Sequence, residues 1–460
     1  MRRPGAVRAA VACLLAVLPA AACERGATTA PAPPPTGAAG GTITVASGLD
    51  VTGTDGVRHR LIEEWNRRNP EHPARLVQLS GAADQQRSQL LGALQSGSAS
   101  YDVVNLDITW IPEFAEAGLI SPLDGRVDLG DFIDRVADTA SWKGHVYSVP
   151  FNSDVGLLYY RKDYLEEAGI GPSLWSGGER PWSKVTAAID ALDAQRNRPE
   201  AYEHGWTGQL GAYEGLTVNA IEAFASAGVR LTDDKGNYTA DRADLEEGLR
   251  ALGERVAERR LLPDALTSDE TTSLDDFTEG RTAFLRHWPY AYGLLWKDLP
   301  RGSFDVTRLP GKAVLGGQNL AVAAGSPRAR WALELVEFLT GRSSERCLLD
   351  AGFAATRESA YADPGVTCGI TDGTGGESTR APTVEGSGPV PADAEGRPAH
   401  AAELLVSLKN AEQRPRTPYY GAFTQALQSH LHRWLERKAP DPEAAAAELD
   451  EALRKALEGR

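Results

Sequence analysis

With 460 residues the chain exceeds one comfortable domain, and two lobes are expected. Its formal net charge of −15 argues against nucleic acid as a partner and against electrostatic docking to anionic lipid. The charge says little about a ligand, because a cleft can differ from the surface around it.

The chain opens on Met1-Arg2-Arg3, with a third positive charge at Arg8 and an apolar run from Ala9 to Val17. A basic start and a short apolar core predict a secretory signal over residues 1–22; the run is too short to span a bilayer. Leu18-Pro19-Ala20-Ala21-Ala22-Cys23 then leads small residues directly into a cysteine, an arrangement that resembles a bacterial lipoprotein box. It implies that Cys23 becomes the lipidated N-terminus of a chain tethered to the outer face of the cell membrane. Loss of Arg2, Arg3 and Arg8 with the leader raises the acidic excess from 15 to 18. Residues 23–41, which include Pro31-Ala32-Pro33-Pro34-Pro35, read as an extended tether. With Cys13 removed and Cys23 lipidated, Cys347 and Cys368 remain as an even pair in an oxidising compartment, and a disulfide between them is expected. Two isolated cysteines make a poor metal site, and neither metal nor cofactor is expected.

The body begins with the β-rich Gly41-Thr42-Ile43-Thr44-Val45-Ala46. Val57, Leu61 and Trp65 recur at helical spacing before Asn69-Pro70, and 75–79 alternates as a strand should. A helix carrying Leu90, Leu91 and Leu94 follows, then the mostly apolar strand Tyr101 to Leu106. Strand and helix in alternation predict an α/β lobe built from βαβ units. Further on, 146–150 and 156–160 read as strands, 182–197 as an amphipathic helix, 217–228 as a largely apolar one, and 231–238 as a turn. Ser326-Pro327 predicts a helix start, with Ser as N-cap. Pro364 to Pro398 reads as a long Gly/Pro/Thr/Ser-rich surface loop; 403–408, 419–437 and the stretch from Asp441-Pro442 to the end read as helices. No internal repeat is present. The sequence has no GxxxxGK[ST] loop, GxGxxG, GxSxG or HExxH, which removes the motif-bearing enzyme classes without excluding an enzyme.

Several blocks, in order, carry a resemblance. Tyr101-Asp102-Val103-Val104-Asn105-Leu106-Asp107-Ile108-Thr109-Trp110, with Phe114 to Leu123, resembles the family-1 extracellular solute-binding proteins, the sugar receptors of ATP-driven importers. Val149 to Lys162 resembles their second block, where the chain first crosses between lobes. Gly208-Gln209 and Tyr213-Glu214-Gly215-Leu216 are similar to the block of trehalose/maltose-type members. Phe277 to Ala283, His287 to Tyr292, Gly316 to Val322 and Arg414 to Tyr420 follow in the expected sequence. The resemblance runs from residue 42 to about 440. It implies an α/β, two-lobed periplasmic-binding-protein fold of type II, hinged, with the ligand cleft between the lobes. Lobe 1 would be 42–150 plus 313–352, and lobe 2 would be 151–312 plus 353–460. The Gly/Pro/Thr-rich stretch between Cys347 and Arg414 departs from the family pattern and leaves ligand length open.

A sugar offers many hydroxyls and weakly apolar ring faces. Carboxylates accept charge-assisted hydrogen bonds worth about 1.5–3 kcal/mol each, and aromatic rings stack on C–H faces. Asp107, Asp154, Glu214 and Arg414 would supply polar contacts, and Tyr213, Trp288 and Tyr420 candidate platforms, with Asn152, Gly317 and Gln318 as weaker candidates. A lone Asp after a strand is ordinarily a helix N-cap, and a Trp before Pro is ordinarily core; the block matches favour ligand contact at Asp107 and Trp288. Trp110 reads as packing, the Asp50–Asp55 loop as cleft lining, and Arg414 against Arg416 and Tyr419 against Tyr420 are hard to separate. The resemblance implies a lipid-anchored monomer that delivers an α-linked disaccharide, of the trehalose or maltose class, to an ABC permease without breaking a bond. The alternatives are a secreted carbohydrate-active enzyme using Asp107 and Asp154, and a receptor for another small solute.

Overall fold

The computed structural model describes residues 39–50, 56–79, 82–97, 100–175, 180–257, 259–372, 376–377, 390–438 and 441–458. The leader, Cys23 and most of the tether lie outside these residues, as do 51–55 of the expected cleft loop and most of 373–389.

Two sheets carry the architecture. Their strands, in chain order, are β1 (Ile43–Gly48), β2 (Ala74–Leu79), β3 (Val103–Asp107), β4 (Val149–Val155), β5 (Leu157–Arg161), β6 (His204–Thr207), β7 (Thr282–His287), β8 (Phe304–Arg308) and β9 (Leu315–Val322). The first sheet runs β2–β1–β3–β9–β4, with β1 parallel to β2 and β3, and β9 antiparallel to β3 and β4. The second runs β8–β5–β7–β6, antiparallel except for β6 beside β7.

The apolar pattern explains both sheets. β1 is buried along its whole length, as a central strand covered on two faces must be. Ile43, Val45 and Val103 pack on one side with Leu61 and Trp65 of the helix Val57–Arg68 and with Leu335 and Leu339 of the helix Ala329–Leu339. Ala46, Val104 and Leu106 face the other way, toward Leu90, Trp110 and Phe114. In β5 the two-residue period is explicit: Leu157 and Tyr159 join one core, with Leu285 and Phe277, while Leu158 joins the other, with Phe284 and Ile189.

Gly156 alone separates β4 from β5, so a single residue carries the chain from the first sheet to the second. The chain returns between Arg308 and Leu315, and a third passage, 411–417, links the helices Ala401–Asn410 and Tyr420–Glu436. The passages are knit by backbone bonds: Gly156 N–H donates to Val314 O at 3.4 Å, and Leu315 N–H to Glu412 O at 2.8 Å. The expected Cys347–Cys368 disulfide is present and joins the helix Arg342–Asp350 to the segment beyond Asp363.

Two local expectations are corrected. The stretch 146–150 is not one strand: Ser141–Trp142 and His145–Val146 form a small hairpin, and β4 begins at Val149. Ser326 does not cap a helix, which begins at Ala329 after Arg328. Its hydroxyl accepts from Arg328 N–H at 3.1 Å in the turn ahead of that helix and donates to Asp102 Oδ1 at 2.6 Å, because the wholly buried Asp102 carboxylate needs donors; Thr44 N–H and Arg328 Nε complete the set.

Gly317 has φ +104°, and a Cβ there would meet Asn152 O at 2.5 Å and Ser153 Cα at 2.6 Å. The backbones of β9 and β4 thus approach at a point no side chain fits. Gly317→Ala is expected to lower stability by about 2 kcal/mol or more. Urea unfolding checks it, and an unchanged midpoint would contradict the close approach.

Candidate functional site

The site is assembled at strand ends and helix starts. β3 stops at Asp107, whose Oδ1 accepts from Thr109 N–H at 2.8 Å and Thr109 Oγ1 at 2.7 Å, a turn that aims the carboxylate. Glu214 opens the helix Glu214–Ser226, on the side of the second sheet. Arg414 reaches both from the third passage. Its Nη2 donates to the two Asp107 oxygens at 2.9 and 3.0 Å, and its Nη1 to Glu214 Oε1 at 2.7 Å. Arg414 is 3% exposed, so these bonds form away from bulk water. Tyr420 donates to Glu214 Oε1 at 2.5 Å and Thr424 to Oε2 at 2.6 Å. Burial pushes the Glu214 carboxyl up, and Arg414 opposes that shift.

A second group surrounds Trp288, which follows β7. Its Nε1 donates to Glu270 Oε1 at 3.3 Å, and Tyr213 donates to Glu270 Oε2 at 2.8 Å. The Arg286 guanidinium carbon lies 3.9 Å from the centre of the Trp288 ring. Trp288 and Asp154 flank Gly316: a Cβ there would come within 3.1 Å of each. Asp154 Oδ1 is occluded and finds no hydrogen-bond partner among the described residues. Burial raises the Asp154 pKa to about 7; Arg58 and Arg286 counter the rise, while Asp107 and Glu270 add to it.

The third group is centred on Arg58, one residue into the helix Val57–Arg68. Its guanidinium is buried and donates to Asn152 Oδ1 at 3.0 Å, Gln318 Oε1 at 3.1 Å and Ser47 Oγ at 3.1 Å. Asn105 Nδ2 also donates to Gln318 Oε1, at 2.6 Å. These amides therefore face an internal cation.

The ten candidates fall into this frame. Asp107, Glu214, Arg414 and Tyr420 form one network; Tyr213 and Trp288 share Glu270; Asn152 and Gln318 share Arg58; Asp154 lies beside Gly316, and Gly317 is a backbone contact between strands. The near-duplicates separate: Arg416 turns to the Ser141 carbonyl, and Tyr419 is 45% exposed while Tyr420 is buried. Trp110 is buried in the core. Arg58, Glu270 and Arg286 were not singled out from the sequence. Arg286 could have been, as a charge inside the apolar run Ala283 to His287. A cavity of about 380 Å³ lies on another side of Arg414, lined by Arg135, Asp138, Ile221, Phe224, Arg230 and Arg416 among others; of the ten candidates it touches only Arg414. Among the described residues no cluster of His, Cys, Asp or Glu is placed to hold a metal ion. Nor is any helix there long and apolar enough to cross a membrane.

Residues 53–345 match the family model for bacterial extracellular solute-binding proteins. The chain belongs to that family. This solute-binding protein is 26% identical over 304 residues to a probable ABC transporter-binding protein of Deinococcus radiodurans, covering 64% of this chain and 71% of the relative. It is 24% identical over 366 residues to a maltotriose-binding protein of Pyrococcus abyssi, covering 76% and 69%. Its fold is that of maltose-bound T. maritima MalE3, with a TM-score of 0.74 at 24% identity, covering 90% of this chain and 99% of that one. The two-lobed α/β expectation is thereby met.

The Asp154 environment sets a pH dependence. Folding raises its pKa, so the stability gained by protonating it is complete below about pH 4 and lost as pH rises through about 7. Asp154→Asn removes the titration. At pH 8 the variant is expected to melt a few degrees above the parent, with the gap closing toward pH 5. A gap that does not change with pH in scanning calorimetry would contradict the raised pKa.

Proposed function

We propose that the chain is the substrate-binding lipoprotein of an ABC sugar importer, which captures an α-linked disaccharide of the trehalose or maltose class between its lobes and delivers it to the permease. The boundary after residue 150 moves to Gly156, because β4 belongs to the first sheet; the lobes would be 42–155 with 313–352 and 157–312 with 353–460, and Cys23 would hold them to the membrane through the Pro-rich tether. The observation that carries the reading is the Asp107–Arg414–Glu214 network, which brings the carboxylate at the end of a first-sheet strand and the one at the start of the helix Glu214–Ser226 to one place beside the Tyr420 ring. The occluded, unpartnered Asp154 Oδ1 adds an acceptor suited to a sugar hydroxyl. The three guanidiniums of Arg58, Arg286 and Arg414 offset the nearby carboxylates, which suits a neutral, many-hydroxyl ligand better than a strongly charged one. The relatives include a maltotriose-binding protein, in keeping with a sugar. Ligand would act by stabilising a closed arrangement of the lobes that the permease recognises.

One observation favours a hydrolytic reading: burial raises the Asp154 pKa to about 7, a value that suits a general acid, and the Asp107 carboxylate is near enough to add to that rise. The two readings part on turnover. Titration calorimetry of the full chain with trehalose, maltose, glucose and a polyol is expected to show one-to-one binding of a disaccharide, recovered intact. Asp107→Asn should weaken that binding by about tenfold or more, the value of one charge-assisted hydrogen bond. Binding of no sugar, or hydrolysis abolished by either Asp107→Asn or Asp154→Asn, would contradict the proposal.

A further inference from the structure

Glu222 and Arg286 form an ion pair, and neither is among the candidate ligand contacts. Arg286 is 1% exposed and Glu222 not at all. Arg286 Nε and Nη2 donate to the two Glu222 oxygens at 3.0 and 2.6 Å, a two-pronged fork. Burying both charges carries a desolvation cost, and apolar residues of equal volume are often at least as stable. Stability alone therefore does not account for the pair.

Its position does. Val314 N–H, just ahead of β9 on the return passage, donates to Glu222 Oε1 at 3.3 Å. Gly156, the single residue of the outward passage, packs on the same pair: a Cβ there would overlap Glu222 Oε1 and lie 2.9 Å from Arg286 Nη2. Gln209 braces the guanidinium, accepting from Nη1 at 3.2 Å and returning a bond from Nε2 to Arg286 O at 3.0 Å. The flat face of the guanidinium supports the Trp288 ring, which in turn abuts Gly316, two residues past Val314. One pair thus touches two passages between the sheets and the aromatic ring beside them.

We propose that the Glu222–Arg286 pair is a positioning element that fixes the geometry of the two passages and seats the Trp288 ring, and so sets both ligand affinity and the closure of the lobes. The affinity part rests on the reading that Trp288 faces a sugar between the lobes. Glu222 contributes an acceptor that ties the helix Glu214–Ser226 to the return passage. Arg286 contributes a planar cation, which a lysine does not reproduce.

Two variants of the full chain test it. Glu222→Leu combined with Arg286→Met replaces the pair by apolar volume, and Arg286→Lys keeps the charge without the fork or the flat face. Each is measured by titration calorimetry with maltose and with trehalose. The distance between a spin label on the helix Val57–Arg68 and one on the helix Arg242–Arg255 is measured with and without each sugar. The combined variant is expected to melt within a few degrees of the parent, to lose about tenfold in affinity and to show a broadened ligand-free distance distribution. Arg286→Lys is expected to lose affinity in the same direction. Folded variants with parental affinity and parental distances would overturn the proposal, leaving the pair as packing. Should the combined variant fail to fold, Arg286→Lys decides on the same readouts. Should the parent bind no sugar, the sugar reading fails separately. The ligand-free distances then decide alone, with broadening supporting the linkage and unchanged distances overturning it.

Discussion

A buried guanidinium that must satisfy two carboxylates from different parts of the fold is the constraint on which the site depends. Arg414 is almost wholly inside the protein, where an unpaired charge would be untenable. It is paired on one side to Asp107, at the end of a first-sheet strand, and on the other to Glu214, at the start of a helix packed on the second sheet. Thr109, Tyr420 and Thr424 then hold those carboxylates in register. The lobes are not merely adjacent here: their polar residues share one hydrogen-bond network, and moving either lobe changes the other's bonds.

The remaining charges follow the same economy. Arg58 lies beneath the amides of Asn152 and Gln318, and Arg286 lies beneath Trp288 while answering Glu222. Cations thus sit behind the groups that could face a ligand, fixing their orientation. Asp154 is the exception: one oxygen has no partner among the described residues, and its proton is held to unusually high pH. The short passages at Gly156 and Val314 confine motion between the lobes to a few backbone angles, in keeping with hinged closure.

Much of the fold was legible from periodicity. The two-residue alternation of β5 and the apolar run of β3 depend on local burial, which a sequence records directly. The candidate residues came from ordered motif blocks, which place Asp107, Glu214 and Arg414 in a family frame without saying what they bond. Their mutual pairing was not legible, because Asp107 and Arg414 are 307 residues apart and only the fold joins them. Arg58 was hidden for another reason. It lies on a helix whose readable feature is the stripe of Val57, Leu61 and Trp65, so a charge there looks like a solvated face. At Ser326 the turn was legible, since its hydroxyl accepts from Arg328 N–H just ahead of the helix, but the bond it donates to the buried Asp102 was not.

Amide hydrogen exchange with and without bound disaccharide tests the location of the site most directly. The expected result is slowed exchange at Ile108 to Trp110, at Tyr213 and Glu214, at Trp288 to Tyr292 and through 414–420, together with the passages at Gly156 and Val314. Protection confined to the cavity around Ile221, Phe224 and Arg230, with none at those segments, would contradict it.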